Sequence, residues 1–188
     1  EVMRPRIFIT QPVADSAIER LRAVADVELN PDTLHKVTKE ELLAKVPQLD
    51  ILFCLLHDKV DKDVIAAGKR LRAIASMKIT PSDIDVPAAT ARRIPVTVIA
   101  PIVTEATADI HFALLLAVAR RVVEGDQLLR SGVFPGAQSA HLLGSYVYGK
   151  TIGLIGGGGR IGKAVAKRAQ GFSMKTLYWT PRRKPESE

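Results

Sequence analysis

The chain has 188 residues, 47% hydrophobic and 25% charged, with a formal net charge of +7; that balance belongs to a globular protein of one large or two small domains and excludes a disordered chain. The basic excess excludes little by itself, but its densest run, Arg182 to Lys184, is short and the rest is interleaved with acids, so nucleic-acid binding would rest on bulk charge alone, with no groove-reading motif. A single cysteine, Cys54, rules out an internal disulfide and a cysteine metal cluster and fits a reducing cytoplasm.

"RIFIT", Arg6 to Thr10, reads as a first strand, β-branched and aromatic, with no apolar signal-peptide core in the opening residues. "DSAIERLRAV" reads as a helix, with Ser16 and Glu19 at capping-box spacing. "DVELN" is a short second strand, and Thr38 with Glu41 gives a second capping box before "ELLAKV". "DILFCLL" is a continuous apolar run, the pattern of a strand buried on both faces of a parallel sheet. "DKDVIAAG" reads as a helix ending at Gly68, "LRAIAS" as a strand, "DVPAATARR" as a helix with Pro87 in its first turn, and "IPVTVIA" as a fifth strand. Residues 1 to 100 therefore alternate strand and helix in the rhythm of a parallel, doubly wound α/β sheet.

Pro101 opens a different regime. From Thr104 to about Arg130 runs one helical pattern of about 40 Å, interrupted only weakly by Gly125. Ile110, Leu114, Val118 and Val122 form one apolar stripe, and Phe112, Leu115, Leu116 and Val123 fill most of the other side. A helix apolar all round is buried all round, either between two bodies (two domains or two subunits) or as the core of one domain. The longest apolar run within it, Phe112 to Ala119, falls far short of the ~20 residues of a membrane helix. Ser131 to Lys150 is a loop rich in Gly, Ser and Pro.

Next comes the strand "KTIGLI", four glycines, the helix "RIGKAVAKRAQ" and the strand "MKTLYW". Gly157, Gly159 and Gly162 satisfy G-x-G-x-x-G in the strand–turn–helix context that gives the motif meaning. Gly157 would permit the tight turn, Gly159 the approach of a pyrophosphate to the backbone, and Gly162 the close packing of helix on strand. Gly156 is one glycine more than the motif needs, and a different register of the turn is open. At the end of the second strand, where an acid usually binds the ribose hydroxyls of NAD, stand Thr180, Arg182 and Arg183. A guanidinium fork suits a 2′-phosphate, so NADP is expected over NAD; a solvated basic tail is the alternative.

The stretches "RIFIT", "DILFCLL", "DIDVPAATARRIPVTV", "VTEATADIHFALLLAVARR" and "YGKTIGLIGGGGRIGKAVAKRAQGFSMKTLYW" resemble the D-isomer-specific 2-hydroxyacid dehydrogenases, near the glyoxylate and hydroxypyruvate reductases. The resemblance implies a flavodoxin-like substrate domain over residues 1–100. Over 101–188 it implies a connecting helix and the first part of a Rossmann NAD(P)-binding domain, with the Thr104 to Arg130 region helping to build a homodimer. It places Gly157, Gly159, Arg160, Ile161 and Gly162 in the cofactor loop, Thr107 against the cofactor from a helix start, and Thr180, Arg182 and Arg183 at the adenosine ribose. Leu55 is implied to face the substrate cleft.

Two departures stand out. The family's loop after the fourth strand carries a glycine whose neighbourhood of backbone amides holds the substrate carboxylate; here it reads Lys78, Ile79, Thr80, and a non-glycine at Thr80 puts that geometry in doubt. Lys78 would add a cation there or lie on the surface. The family's arginine, acidic residue and acid–base histidine lie downstream of Glu188, so no catalytic residue is assigned, and the 188 residues are expected to be a truncated piece, inactive alone, with an open apolar edge beside "TLYW". Of the four histidines only His57, after "LFCLL", sits at a strand's carboxyl end, and no spacing among them resembles a metal site. The leading expectation is an NADP-linked oxidoreductase of small 2-keto acids such as glyoxylate or hydroxypyruvate, without membrane or nucleic-acid partners; a dinucleotide-sensing regulator of the same fold is the alternative.

Overall fold

The computed structural model describes residues 4–185, which fall into two compact units that divide after Pro101. The first holds β1 (Arg6–Ile9), α1 (Asp15–Arg22), β2 (Asp26–Leu29), α2 (Lys39–Lys45), β3 (Ile51–Cys54), α3 (Lys62–Ala67), β4 (Ala73–Ser76), α4 (Val86–Ala91) and β5 (Val96–Thr97). All five strands are parallel, in the order β2-β1-β3-β4-β5. This is the flavodoxin-like order, which reverses direction between β1 and β3 and so opens a crevice at their carboxyl ends.

Side-chain alternation puts Phe8, Leu52 and Ile74 on one face, packed against Leu42, Val64 and Ile65 from the flanking helices. Ile7 and Ile9 lie on the other face with Ala25 and the partly buried Leu21, Ile51 and Phe53. Both faces are covered at the sheet's centre, which is why β1, β3 and β4 read as near-continuous apolar runs while the edge strand β2 alternates. Helix starts are fixed by side chains: Thr38 and Glu41 form a reciprocal capping box on α2, Asp61 accepts from the Asp63 and Val64 amides, and Asp85 accepts from Ala88. The box expected at Ser16 and Glu19 is absent. Helix α1 begins at Asp15 with Ala14 as its cap residue, so Ser16 is already inside the helix. The fifth strand is two residues long, at the edge of the sheet beside β4.

The second unit holds α5 (Thr104–Ala119), α6 (Val122–Arg130), β6 (Thr151–Ile155), α7 (Arg160–Gly171) and β7 (Lys175–Trp179), with β6 and β7 parallel across the α7 connection. The expected single long helix is broken, and not at Gly125. Arg120 ends α5, and Arg121 takes a left-handed conformation at φ 54° before α6 begins. The cause is tertiary. The Ser145 amide donates to the Ala119 carbonyl at 2.6 Å, and Gly144 lies so close that a Cβ there would stand 2.5 Å from the same oxygen. The returning loop thus takes the carbonyl that a continuing helix would have used.

Helix α5 packs on α7 through Ala108, Phe112, Ala164, Val165 and Ala169, which also covers Ile152 and Leu154 of β6. Arg168 ties the two helices with bonds to Asp109 Oδ1 at 2.8 Å and Glu105 Oε2 at 2.9 Å. The expectation of burial all round fails. Only Ala108 and Phe112 of α5 are buried, while Val118 is 78% exposed and Ile110 and Leu114 are more than half exposed. The opposite face of the small sheet is also bare, with Ile155 90% exposed beside Leu177 and Trp179. No helix among the described residues is long and apolar enough to cross a membrane.

Candidate functional site

The glycine run joins β6 to α7, and each member has its own physical reason. Gly156 carries the left-handed backbone, φ +80°, and its amide donates to the Trp179 carbonyl at 2.7 Å. The turn role expected of Gly157 therefore belongs to Gly156, which is not surplus. Gly157 is excluded from having a side chain by crowding: a Cβ would stand 2.4 Å from the Tyr178 Cβ and 2.9 Å from the Leu154 Cβ. A Cβ on Gly162 would meet main-chain atoms of Gly157 at 2.4 to 2.7 Å, so the close approach is to the turn rather than to the strand expected of it.

Gly159 differs from these. It precedes α7 in extended conformation, and a Cβ there would meet no side chain, only the Gly156 carbonyl oxygen at 3.3 Å. Its glycine identity is not demanded by packing against the rest of the chain. Just after it, the α7 ladder starts with Lys163 donating to the Gly159 carbonyl, so the amides of Arg160, Ile161 and Gly162 have no acceptor among the described residues. Three aligned N–H groups at the positive end of a helix, beside a main chain with no side chain over it, favour a bound anion.

The residues expected at the adenosine end follow β7. Thr180 and Arg183 line an open depression with Thr176, Leu177, Tyr178 and Trp179. Arg182 is exposed, and neither its side chain nor that of Arg160 is hydrogen-bonded or ion-paired among the described residues. Thr107 lies in the first turn of α5 and spends its hydroxyl on the Val103 carbonyl at 2.7 Å. Ile161 is exposed, one residue into the first turn of α7.

In the first unit, the expected substrate residues gather past the carboxyl ends of β3 and β4. Leu55 is buried and its amide is held by two acceptors, Asp58 Oδ2 at 2.7 Å and Thr10 Oγ1 at 3.2 Å. Asp58 and Thr10, which no sequence pattern singled out, are themselves buried and hydrogen-bonded to each other. They bridge the ends of β1 and β3, where the strand order reverses. Lys78 is ion-paired to Asp83, which offsets its charge. Ile79 is partly exposed and Thr80 exposed, and Thr80 does not adopt a positive φ, so the chain there does not demand glycine.

Burial pushes the Cys54 thiol up to about 11, which keeps it in the protonated, weakly nucleophilic form. His57 is exposed beside this edge, without a hydrogen bond among the described residues. His35 pairs with Glu41 at 3.0 Å, and His111 bonds the Thr107 carbonyl at 2.7 Å. No group of three metal-ligating side chains occurs among the described residues.

A family model for the D-isomer specific 2-hydroxyacid dehydrogenase catalytic domain matches residues 7–175. The chain is 44% identical over 190 residues to the glyoxylate reductase of Thermococcus kodakarensis, covering 99% of this chain and 56% of that protein. A solved structure from Thermus thermophilus superposes with a TM-score of 0.87 at 40% identity, covering 96% of this chain and 57% of the other. An acyclic imino acid reductase solved in complex with NADPH and D-Arg superposes at 0.72 with 28% identity, over 96% of this chain and 58% of the other. The chain spans about half the length of the curated relatives it matches.

Proposed function

The chain belongs to the D-isomer-specific 2-hydroxyacid dehydrogenase family, and on that premise we propose that it contributes the substrate-facing sheet and the phosphate-binding loop of an NADP-linked reductase of small 2-keto acids such as glyoxylate or hydroxypyruvate. The observation that carries this reading is Gly159, open above its main chain, followed by the amides of Arg160, Ile161 and Gly162, which have no acceptor among the described residues. They fit a dinucleotide pyrophosphate, which needs donors and room but no side chain. The NADPH carried by the imino acid reductase supports the same cofactor class.

When bound, the dinucleotide supplies a hydride from nicotinamide C4 to the keto carbon, while a proton reaches the carbonyl oxygen. The chain's own part is to bind and orient. Gly157 and Gly162 hold the loop close to the strand, α7 presents its amides, and Thr180, Arg182 and Arg183 receive the adenosine ribose end. Thr107 contacts the cofactor from the start of α5. Leu55, Lys78, Ile79 and Thr80 form the substrate edge, with the Leu55 main chain held by Asp58 and Thr10. The acid–base role is assigned to no residue here.

The preference for NADP over NAD is supported by the absence of an acid from Thr180 to Lys184 and the presence of Arg182 there, whose fork suits a 2′-phosphate. Titration followed by nicotinamide fluorescence is expected to give NADPH the tighter binding, by about tenfold or more; equal or tighter binding of NADH would refute the preference. A second copy of the chain is the proposed cover for Ile110, Leu114 and Val118, spaced four apart on α5 and all well exposed. Light scattering should report a dimer that Leu114→Glu splits, and a monomeric unmodified chain would count against it. A cytoplasmic location fits the lone reduced thiol.

A further inference from the structure

The chain does not leave the glycine loop after β7. It returns to it. The Tyr178 hydroxyl donates to the Lys184 carbonyl at 3.3 Å, and Lys184 lays its aliphatic stem along Gly158. A Cβ on Gly158 would stand 3.1 Å from Lys184 Cδ and 3.6 Å from its Cβ and Cγ. Gly158 is buried for this reason, and it is the one glycine of the run whose place is explained by a charged side chain. Two bonds beyond that Cδ is an ammonium with no hydrogen bond or ion pair among the described residues. Lysines with apolar stems on a surface keep their heads where charge is solvated or met. Here the stem rests on the turn immediately before Gly159 and the unpaired amides.

We propose that Lys184 is a pyrophosphate contact of the dinucleotide, a cation delivered to the glycine loop from the far side of β7. The inference rests on the dinucleotide reading above and adds a residue to it. Gly158 has no side chain so that the Lys184 stem can lie flat, and the ammonium then joins the Arg160–Gly162 amides around the same two phosphates. A compact ammonium on a flexible stem suits this task, because the stem swings aside without breaking a hydrogen bond. The contact is with the phosphate bridge and not the 2′-phosphate, so it serves NADPH and NADH alike.

The test is a set of titrations of the 188-residue chain with NADPH and with NADH, read by fluorescence and calorimetry at two salt concentrations. Lys184→Ala should weaken both dinucleotides by about five- to twentyfold, reduce the salt dependence of binding, and leave the unfolding midpoint unchanged. Lys184→Arg should restore most of the affinity. Gly158→Ala should weaken binding by displacing the stem, and should add little in the Lys184→Ala background. An unchanged affinity in Lys184→Ala overturns the proposal while leaving the dinucleotide reading intact. A loss confined to NADPH overturns it in favour of a 2′-phosphate contact. If the unmodified chain binds neither dinucleotide, the inference falls together with the reading beneath it.

Discussion

Gly162→Val is expected to abolish measurable dinucleotide binding, a loss of at least about a hundredfold, and to destabilise the chain by about 3 kcal/mol. The new Cβ would stand 2.4 Å from the Gly157 Cα and under 2.8 Å from its carbonyl carbon and oxygen. These are main-chain atoms and cannot rotate away. Gly157 is itself wedged against Tyr178 and Leu154, so the loop has nowhere to retreat except outward, into the space in front of the α7 amides. One substitution thus strains the packing and fills the anion site. Gly171→Ala is the control. It lies at the end of the same helix, a Cβ there meets nothing within 4 Å, and it should bind dinucleotide normally with an equal or higher urea midpoint. Normal binding by Gly162→Val would mean that the loop accommodates a side chain where the geometry allows none.

Asp58→Ala should cost about 2–4 kcal/mol in urea unfolding, the largest loss expected of any polar substitution in the first unit. Asp58 is 3% exposed and accepts from two buried donors, the Thr10 hydroxyl and the Leu55 amide. Truncation leaves the pair with one acceptor between them, since Leu55 retains only Thr10 Oγ1 at 3.2 Å. Asp58→Asn keeps an acceptor oxygen and should lose less than half as much. Thr10→Val in combination with Asp58→Ala should cost less than the two singles added, because both act on one node. A loss under about 1 kcal/mol for Asp58→Ala would show that the node does not hold the β1 and β3 ends together. Its position gives the result a second meaning: Leu55, the residue it holds, is on the proposed substrate edge.

How much of this was readable beforehand depends on the range over which each cause acts. The central strands β1, β3 and β4 announce themselves because burial demands apolar runs, and the Thr38–Glu41 box because its reciprocal bonds span three residues. The break at Arg121 has no local mark. Arginine carries no preference for positive φ, and the carbonyl that ends α5 is taken by Ser145, more than twenty residues on. The glycine motif was legible as a pattern, but the turn role falls on Gly156 and not Gly157, since spacing carries no φ and Tyr178 enters from another strand. Ser16 and Glu19 had the capping spacing without the position, because the helix starts one residue before Ser16. Thr10 and Asp58 lie 48 residues apart, and Lys184 reaches Gly158 only after the chain reverses beyond Trp179. Contacts of that kind leave no periodicity to read.

Amide shifts recorded by NMR during titration with NADP are the most direct measurement of the central claim, that the β6–α7 turn receives the phosphate bridge of a dinucleotide. The account predicts that the largest shifts fall on Gly158, Gly159, Arg160, Ile161 and Gly162, with smaller ones at Thr180 and Arg182. Binding that leaves those five amides unmoved while shifting others would contradict it.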